Sequence, residues 1–363
     1  MNKIIISQKL GATCAVVIEG GEVNAIYSAC DTEPKLVGNI YKGRVENFLP
    51  GMQAAFVDIG RDKNVFLQFS AKQKFSVGQS VLIQIDKDET LTKGARATLN
   101  ISLAGRLMIF LPTLGYIGVS NKIQGDERLR LHKLAKKIRS KDSGIIIRTA
   151  AQGCDEDSLL DDLAKLQALW TKILERNSKR KPPALLHSDN DLIDKLLRND
   201  VAADTELIVD NLKLYRRLVE RVSNVKLYDS SSPIFEAFGV TKELASINQR
   251  ELSLPSGGQI VIDKTEAFTA IDVNTSKFIG RNDFDETILK TNLEAADLIL
   301  KQLRLRDLGG IIIVDFIDMD STEHKKALMN FLREQAAFDR NKVKIVDMTP
   351  LGLVEITRHS SQR

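Results

Sequence analysis

AFTAIDVNTS, residues 267–276, has the alternation of a β-strand, yet it sets two polar side chains where such a strand is most apolar. In an extended chain successive side chains point to opposite faces. Ile271 and Val273 therefore share one face, and Asp272 and Asn274 share the other. A carboxylate withdrawn from water without a partner is costly. If this strand is buried, its fold must supply Asp272 with a cation, a set of donors or water.

A second stretch, GGIIIVDFIDMD at 309–320, poses the same problem. Its apolar run reads as a buried strand, and Asp315 stands where that strand leaves its sheet. In open α/β sheets functional groups collect beyond the carboxyl ends of the strands. The segment between the two strands, 283–306, has helical periodicity and the length of a crossover, which would lay the strands parallel and side by side. Asp272 and Asp315 then converge. Converging carboxylates repel unless a cation or a shared proton relieves them. With no His or Cys nearby, hard oxygen ligands favour Mg²⁺ or Mn²⁺ over zinc. Magnesium keeps several waters and adds a substrate phosphate, so two carboxylates suffice, and such a metal activates water and neutralises a phosphodiester. The Asn274 amide is placed to hold a phosphate oxygen or to orient the attacking water. Structural roles compete with this reading. Asp272 or Asn274 could cap a turn, and Asp318 either supports Asp315 or is simply solvated. Asp320 with Glu323 reads as the N-cap pair of a helix over 321–339.

Around these stretches the C-terminal region reads as α/β, with further strands at 259–263 and 342–347. The N-terminal third is β-rich. Short strands fill residues 3–32, with Gly20-Gly21 as a hairpin turn, and 36–104 reads as short strands between Gly, Pro and polar turns, the pattern of a small barrel. A helix (126–140), a strand (144–150) and a long helix (155–176) follow, and NSKRKPP ends the last of these; 189–200 and 211–222 read as helical or mixed.

A chain of 363 residues exceeds one ordinary core and predicts several packing units. Its net charge of +4 sets 52 basic against 48 acidic residues, so charge alone identifies no polyanionic partner. Cys14, Cys30 and Cys154 are widely spaced and contain no CxxC pair, which predicts reduced, mostly buried thiols and no zinc site. The N-terminal apolar run is too short for a signal peptide, and no stretch approaches a membrane span, so a cytoplasmic location and no transmembrane segment are expected.

TEAFTAIDVNTSKFIG (265–280), followed by the run from GGIIIVDFIDMD to LVEITR (309–358), resembles the catalytic core of the bacterial ribonuclease E/G family. The likeness continues upstream through the barrel region. It implies an α+β multidomain chain in which an RNase H-like domain (1–35 and 184–247) is interrupted by two modules. These are an OB-fold RNA-binding barrel of the ribosomal protein S-one type (36–105) and a 5′-sensor domain (106–183), and a DNase I-like α/β catalytic domain (248–363) follows. By this resemblance Asp272 and Asp315 match the metal-binding aspartates and Asn274 the asparagine of the same site. The implied reaction is Mg²⁺-dependent hydrolysis of single-stranded RNA to 5′-phosphate and 3′-hydroxyl products, in RNA processing or decay.

KGRVENFLPGMQAAFVDIGRDKNVFLQF (42–69) carries Phe48, Phe56, Phe66 and Phe69 in a chain that is only 6% aromatic. Bases stack on such rings in OB-type grooves while Lys or Arg tracks the backbone. The resemblance selects Phe56 and Phe66 as the stacking pair, leaves Phe48 and Phe69 to the core, and makes Lys93 a substrate contact. In IIIRTA (145–150), Arg148 can fork onto a phosphate while Thr149 donates a further bond. In the family this pair, with Gly105 and a backbone contact near Ile109, forms a pocket for a 5′-monophosphate. Relatives also carry a CPxC zinc link between protomers and a scaffold for a degradosome. Neither motif occurs here, so a homo-oligomer without a zinc link, no zinc and no scaffold partners are expected. A non-catalytic RNA-binding protein of the same architecture, or a structural α/β protein with solvated strand ends, are the competing readings.

Overall fold

A computed structural model describes residues 2–9, 12–30, 36–70, 73–89, 94–189, 191–201, 204–275 and 284–360. The chain divides into two compact units, Met1–Ala29 with Ala203–Arg363, and Cys30–Ala202, the second inserted in the sequence of the first. Among the described residues no helix is long and apolar enough to cross a membrane.

The first unit opens with β1 (Lys3–Lys9), β2 (Ala12–Glu19) and β3 (Glu22–Cys30). Gly20 and Gly21 both take positive φ, +61° and +92°, as the two-residue turn between β2 and β3 requires. Cys14 and Cys154 are free thiols, and both are half-buried rather than buried.

The second unit begins with β4 (Ile40–Leu49), β5 (Ala54–Asp58), β6 (Val65–Gln68), β7 (Ser80–Lys87) and β8 (Arg96–Thr98). They run in the order β4-β5-β6-β8-β7, and β7 pairs back onto β4, closing a five-stranded barrel. Alternate residues, among them Ala55, Val57, Val65 and Leu67, fill its interior. Next come β9 (Leu103–Ala104), β10 (Met108–Leu111), β11 (Ile117–Val119), α1 (Gly125–Ile138), β12 (Gly144–Ile147), α2 (Glu156–Lys179), β13 (Ala184–His187) and α3 (Leu192–Asn199). A sheet ordered β11-β12-β10-β9 packs its apolar face on α1 and α2 around Met108, Ile145, Leu131 and Leu163. The helix α2 starts where expected, with Asp155 accepting from the Ser158 amide, but runs through Asn177, Ser178 and Lys179 before breaking at Arg180. Arg176 and Lys179 in its last turn suit the negative end of the helix dipole, so this basic segment extends the helix. The strand β13 pairs with β4, so residues 184–187 share hydrogen bonds with the barrel within the unit that ends at Ala202.

The chain then returns to the first unit with β14 (Glu206–Val209), α4 (Leu212–Val219), β15 (Val225–Leu227), α5 (Ile234–Ala237), α6 (Thr241–Ser246), β16 (Glu251–Ser253), β17 (Gln259–Lys264) and β18 (Phe268–Asn274). It finishes with α7 (Phe284–Leu305), β19 (Gly310–Asp315), α8 (Thr322–Ala336), β20 (Val343–Met348) and β21 (Val354–Arg358). The strand β14 lies parallel to β1 and completes the sheet β15-β14-β1-β2-β3. A six-stranded sheet ordered β16-β17-β18-β19-β21-β20 follows, antiparallel at every described pairing except β18 with β19. The helices α7 and α8 cover one face of it, with Ile271, Val273, Ile312 and Val314 packed against Ala295, Ile299, Leu328 and Leu332. The opposite face is open. Phe268 and Ile311 lie on it, 41% and 52% exposed. The strands expected to be buried at 267–274 and 310–315 are therefore covered on one face only.

Candidate active site and RNA-contact surfaces

Parallel pairing sets Phe268 beside Ile311, Ala270 beside Ile313 and Asp272 beside Asp315. Because Ile271, Val273 and Val314 point into the helix layer, the two aspartates share the open face at the carboxyl ends of adjacent strands. Neighbouring strands lie about 4.8 Å apart. Both aspartates are exposed. The question posed by the sequence thus has a plain answer, since water reaches Asp272 and the Asn274 amide donates to its Oδ2 at 2.6 Å. Asp315 still feels its surroundings. Partial desolvation first, then the negative charges of Asp272 and Asp318, hold its carboxyl above the ordinary range.

This arrangement has excess negative charge and no basic side chain bonded to either aspartate among the described hydrogen bonds and ion pairs. Among the described residues, no group of three or more His, Cys, Asp or Glu could hold a metal ion. That donor set fits magnesium, which takes one or two carboxylates and completes its octahedron with water and phosphate oxygens. It does not fit a zinc site closed by four protein ligands. On the following helix, Ser321 is the N-cap. Its Oγ accepts from the His324 amide at 3.3 Å and donates to Glu323 at 3.1 Å, while Asp320 is exposed. The expected Asp320 cap is thus one residue early, because the helix starts at Thr322 and the capping oxygen must belong to the residue just before it.

On the barrel, Phe56 and Phe66 sit directly opposite each other on β5 and β6, alternating with buried neighbours and so facing outward. Their rings meet edge to face, with centroids 5.9 Å apart and planes at 68°. Asn47 flanks Phe56 on one side and Arg96 flanks Phe66 on the other, which forms one row across four strands. Phe48 instead stacks on buried Phe69 at 5.5 Å. Lys93 lies outside the described residues.

In the sheet of β9 to β12, the Arg148 guanidinium donates from Nη1 to the Gly105 carbonyl at 2.6 Å and from Nη2 to Asn199 Oδ1 at 2.6 Å. These bonds use two of its five N–H donors. Burial chiefly, and then the charge of Arg198, draw its pKa down. Thr149 is exposed, its hydroxyl 2.8 Å from that of Ser120. Ile109 lies on β10 between Ala104 and Ile146. The fold therefore joins Gly105 and Arg148 directly, with Thr149 next in the chain.

A family model for the ribonuclease E/G family matches residues 102–361. Two proteins named Ribonuclease G, from Salmonella typhimurium strain SL1344 and Escherichia coli strain K12, are each 38% identical over 387 residues, which covers 98% of this chain and 79% of theirs. The protein named Ribonuclease E from Escherichia coli strain K12 is 38% identical over 350 residues, 88% of this chain and 33% of its own. The chain belongs to the ribonuclease E/G family.

Within this ribonuclease E/G chain two side chains matter that the sequence reading passed over. Asn292, fully buried on α7, donates to the Ile317 carbonyl at 2.8 Å and accepts from the Ile317 amide at 3.1 Å. It thereby clamps the turn between Asp315 and Asp318. On α2, the Asp162 carboxylate accepts from the amides of Leu107, Met108 and Arg106 at 2.9, 3.2 and 3.3 Å, pinning the loop beside Arg148. A Cβ at position 105 would run into that carboxylate, so the loop needs glycine there. One signal could have found both residues. Asn292 interrupts the apolar stripe Ile288, Ala295, Ala296 and Ile299, and Asp162 interrupts Leu159, Leu163 and Leu166.

Proposed function

We propose that the protein is an endoribonuclease that hydrolyses single-stranded RNA at the Asp272–Asp315 pair with Mg²⁺, for which Mn²⁺ can substitute. The observation that carries this reading is the in-register placement of two exposed carboxylates at adjacent parallel strand ends in a chain of this family. When bound, the metal supplies Lewis acidity at the scissile phosphate and lowers the pKa of a water. Asp272 and Asp315 would hold it, and their mutual repulsion favours any divalent cation placed between them. The Asn274 amide, through its bond to Asp272 Oδ2, fixes the rotamer of that carboxylate, and its own Oδ1 can accept from the attacking water. Asn292 holds the backbone after Asp315 in place. In the net reaction water adds to phosphorus, the ribose 3′-oxygen leaves and takes up a proton, and the products are a 5′-phosphate and a 3′-hydroxyl.

The barrel would serve as an OB-fold platform, with Phe56 and Phe66 stacking bases and Lys93 meeting the backbone. Gly105, Ile109, Arg148 and Thr149 would form a 5′-monophosphate sensor, supported by the anchored guanidinium and its remaining donors. In the same reading the sheet β15-β14-β1-β2-β3 corresponds to the RNase H-like domain and the six-stranded sheet with α7 and α8 to the DNase I-like catalytic domain. The test is cleavage of a short labelled RNA with Mg²⁺ and with EDTA, alongside measured binding of the same strand. Cleavage that vanishes in EDTA and leaves 5′-phosphate ends supports the reading. Binding without metal-dependent cleavage replaces it with a non-catalytic RNA-binding protein.

A further inference from the structure

Just beyond Asp315 the chain forms one side of a cavity of about 170 Å³, and the turn between β20 and β21 forms the other. Phe316 and Met319, both nearly buried, line its inner side, and half-buried Met348 and highly exposed Leu351 line the rest. Asp318 and Lys325 bring the two charges at its edge. The turn is held by its own hydrogen bonds, from the Thr349 amide to the Leu353 carbonyl at 2.8 Å and from the Gly352 amide to the Thr349 carbonyl at 2.9 Å. Gly352 takes φ +85° and backs onto Asp318, so the wall carrying Leu351 is preformed.

The size and lining of the cavity select a ligand. An apolar cavity of about 150 Å³ admits one benzene ring. The space here is a cleft open to solvent, lined by polar as well as apolar atoms, and its volume matches one aromatic ring system. Thioether sulfurs make favourable contacts with aromatic edges, and two methionines line this space. An ionised carboxylate accepts from the amino edge of a base, while a lysine attracts a phosphate. Position restricts the choice further. Phe316 and Asp318 follow Asp315 by one and three residues, at most about 4 and 11 Å along the chain. A strand with one phosphate at the carboxylate pair therefore has an adjoining nucleotide within reach of the cavity.

We infer that this cavity receives a single nucleobase of the RNA strand, adjacent to the scissile phosphate, and so contributes to the choice of cleavage position. The inference rests on the proposed nuclease reading and adds a subsite to it. An abasic scan tests it. A short labelled single-stranded RNA, with one abasic site moved position by position, is titrated by fluorescence anisotropy against the native chain, Leu351→Ala and Met348→Ala, and cleavage of each strand is followed in Mg²⁺. Leu351 is 82% exposed, so its truncation leaves the fold intact. At one position, loss of the base weakens binding to the native chain about fivefold or more, and the same loss has no further effect on Leu351→Ala. If every abasic position weakens native and variant chains by the same factor, the cavity is not a base subsite. Cleavage without this coupling removes the subsite and leaves the nuclease. Coupling without cleavage removes the nuclease and leaves the subsite.

Discussion

Replacing Asn292 with leucine tests how the turn after Asp315 is held. The side chain is fully buried, and both of its amide groups are spent on one residue, with bonds of 2.8 and 3.1 Å to the Ile317 backbone. Leucine has nearly the same shape, so Asn292→Leu opens no cavity of consequence. What it leaves is an N–H and a C=O without their partner. A polar group stranded in this way costs about 1–3 kcal/mol. Ile317 is itself half-buried, so water relieves part of the loss, and the two groups together should lower stability by about 2–4 kcal/mol. The assay is equilibrium urea unfolding followed by far-ultraviolet circular dichroism. Fluorescence is the wrong probe, because the single tryptophan, Trp170, lies in the other unit. Cleavage should slow as well. Loss of a residue that orients metal ligands typically costs about 10–100-fold, and the effect belongs in kcat rather than KM. A variant whose unfolding midpoint and kcat both match the native values would show that the turn after Asp315 holds its shape unaided.

On the proposed reading each aspartate is a metal ligand rather than a ligand's support, so Asp272→Asn and Asp315→Asn should each reduce cleavage by more than about a hundredfold, while anisotropy shows RNA binding largely kept. Equal loss of binding would reassign the pair to architecture. Arg148→Ala should slow cleavage of a 5′-monophosphorylated strand about tenfold or more relative to its 5′-hydroxyl counterpart, the worth of a charge-assisted bond. Asp162→Ala should reproduce that loss of discrimination and also lower stability by about 1–3 kcal/mol, because it leaves the buried Leu107 and Met108 amides unpaired. An equal response of both substrates would dissolve the sensor. Phe66→Ala should weaken single-strand binding by about 1–3 kcal/mol, and unchanged affinity would return the ring to the barrel core.

What could be read in advance was local or short-ranged. Alternation in AFTAIDVNTS, the run before Asp315 and the helical stretch between them specify two parallel neighbours, because a crossover of that length allows little else. The turn at Gly20-Gly21 and the closely spaced strands of the barrel have equally local causes. Other features depend on partners far away in sequence. The strands β14 and β13 owe their sheets to Ile4–Ile6 and Tyr41, residues whose relation to them no periodicity reveals. The segment LVEIT gives little sign that it enters between β19 and β20 as β21. The apolar run of β19 reads as a buried strand, but Ile311 and Ile313 lie on the open face, and the helices dictate which face that is. At the site, the positions of the two aspartates followed from strand ends. Asn292 and Asp162 went unseen because each looked like a flaw in an amphipathic helix.

The lone parallel seam of the six-stranded sheet has a consequence for where a pair of acids can be built. Across an antiparallel border, the finish of one strand lies beside the beginning of the next, so residues that terminate two strands stay far apart. Among the described pairings of this sheet, only β18 and β19 end together. Relocating the pair elsewhere in this sheet would require a new crossover, whereas chemistry at the existing pair can be retuned simply by changing the turns that follow it.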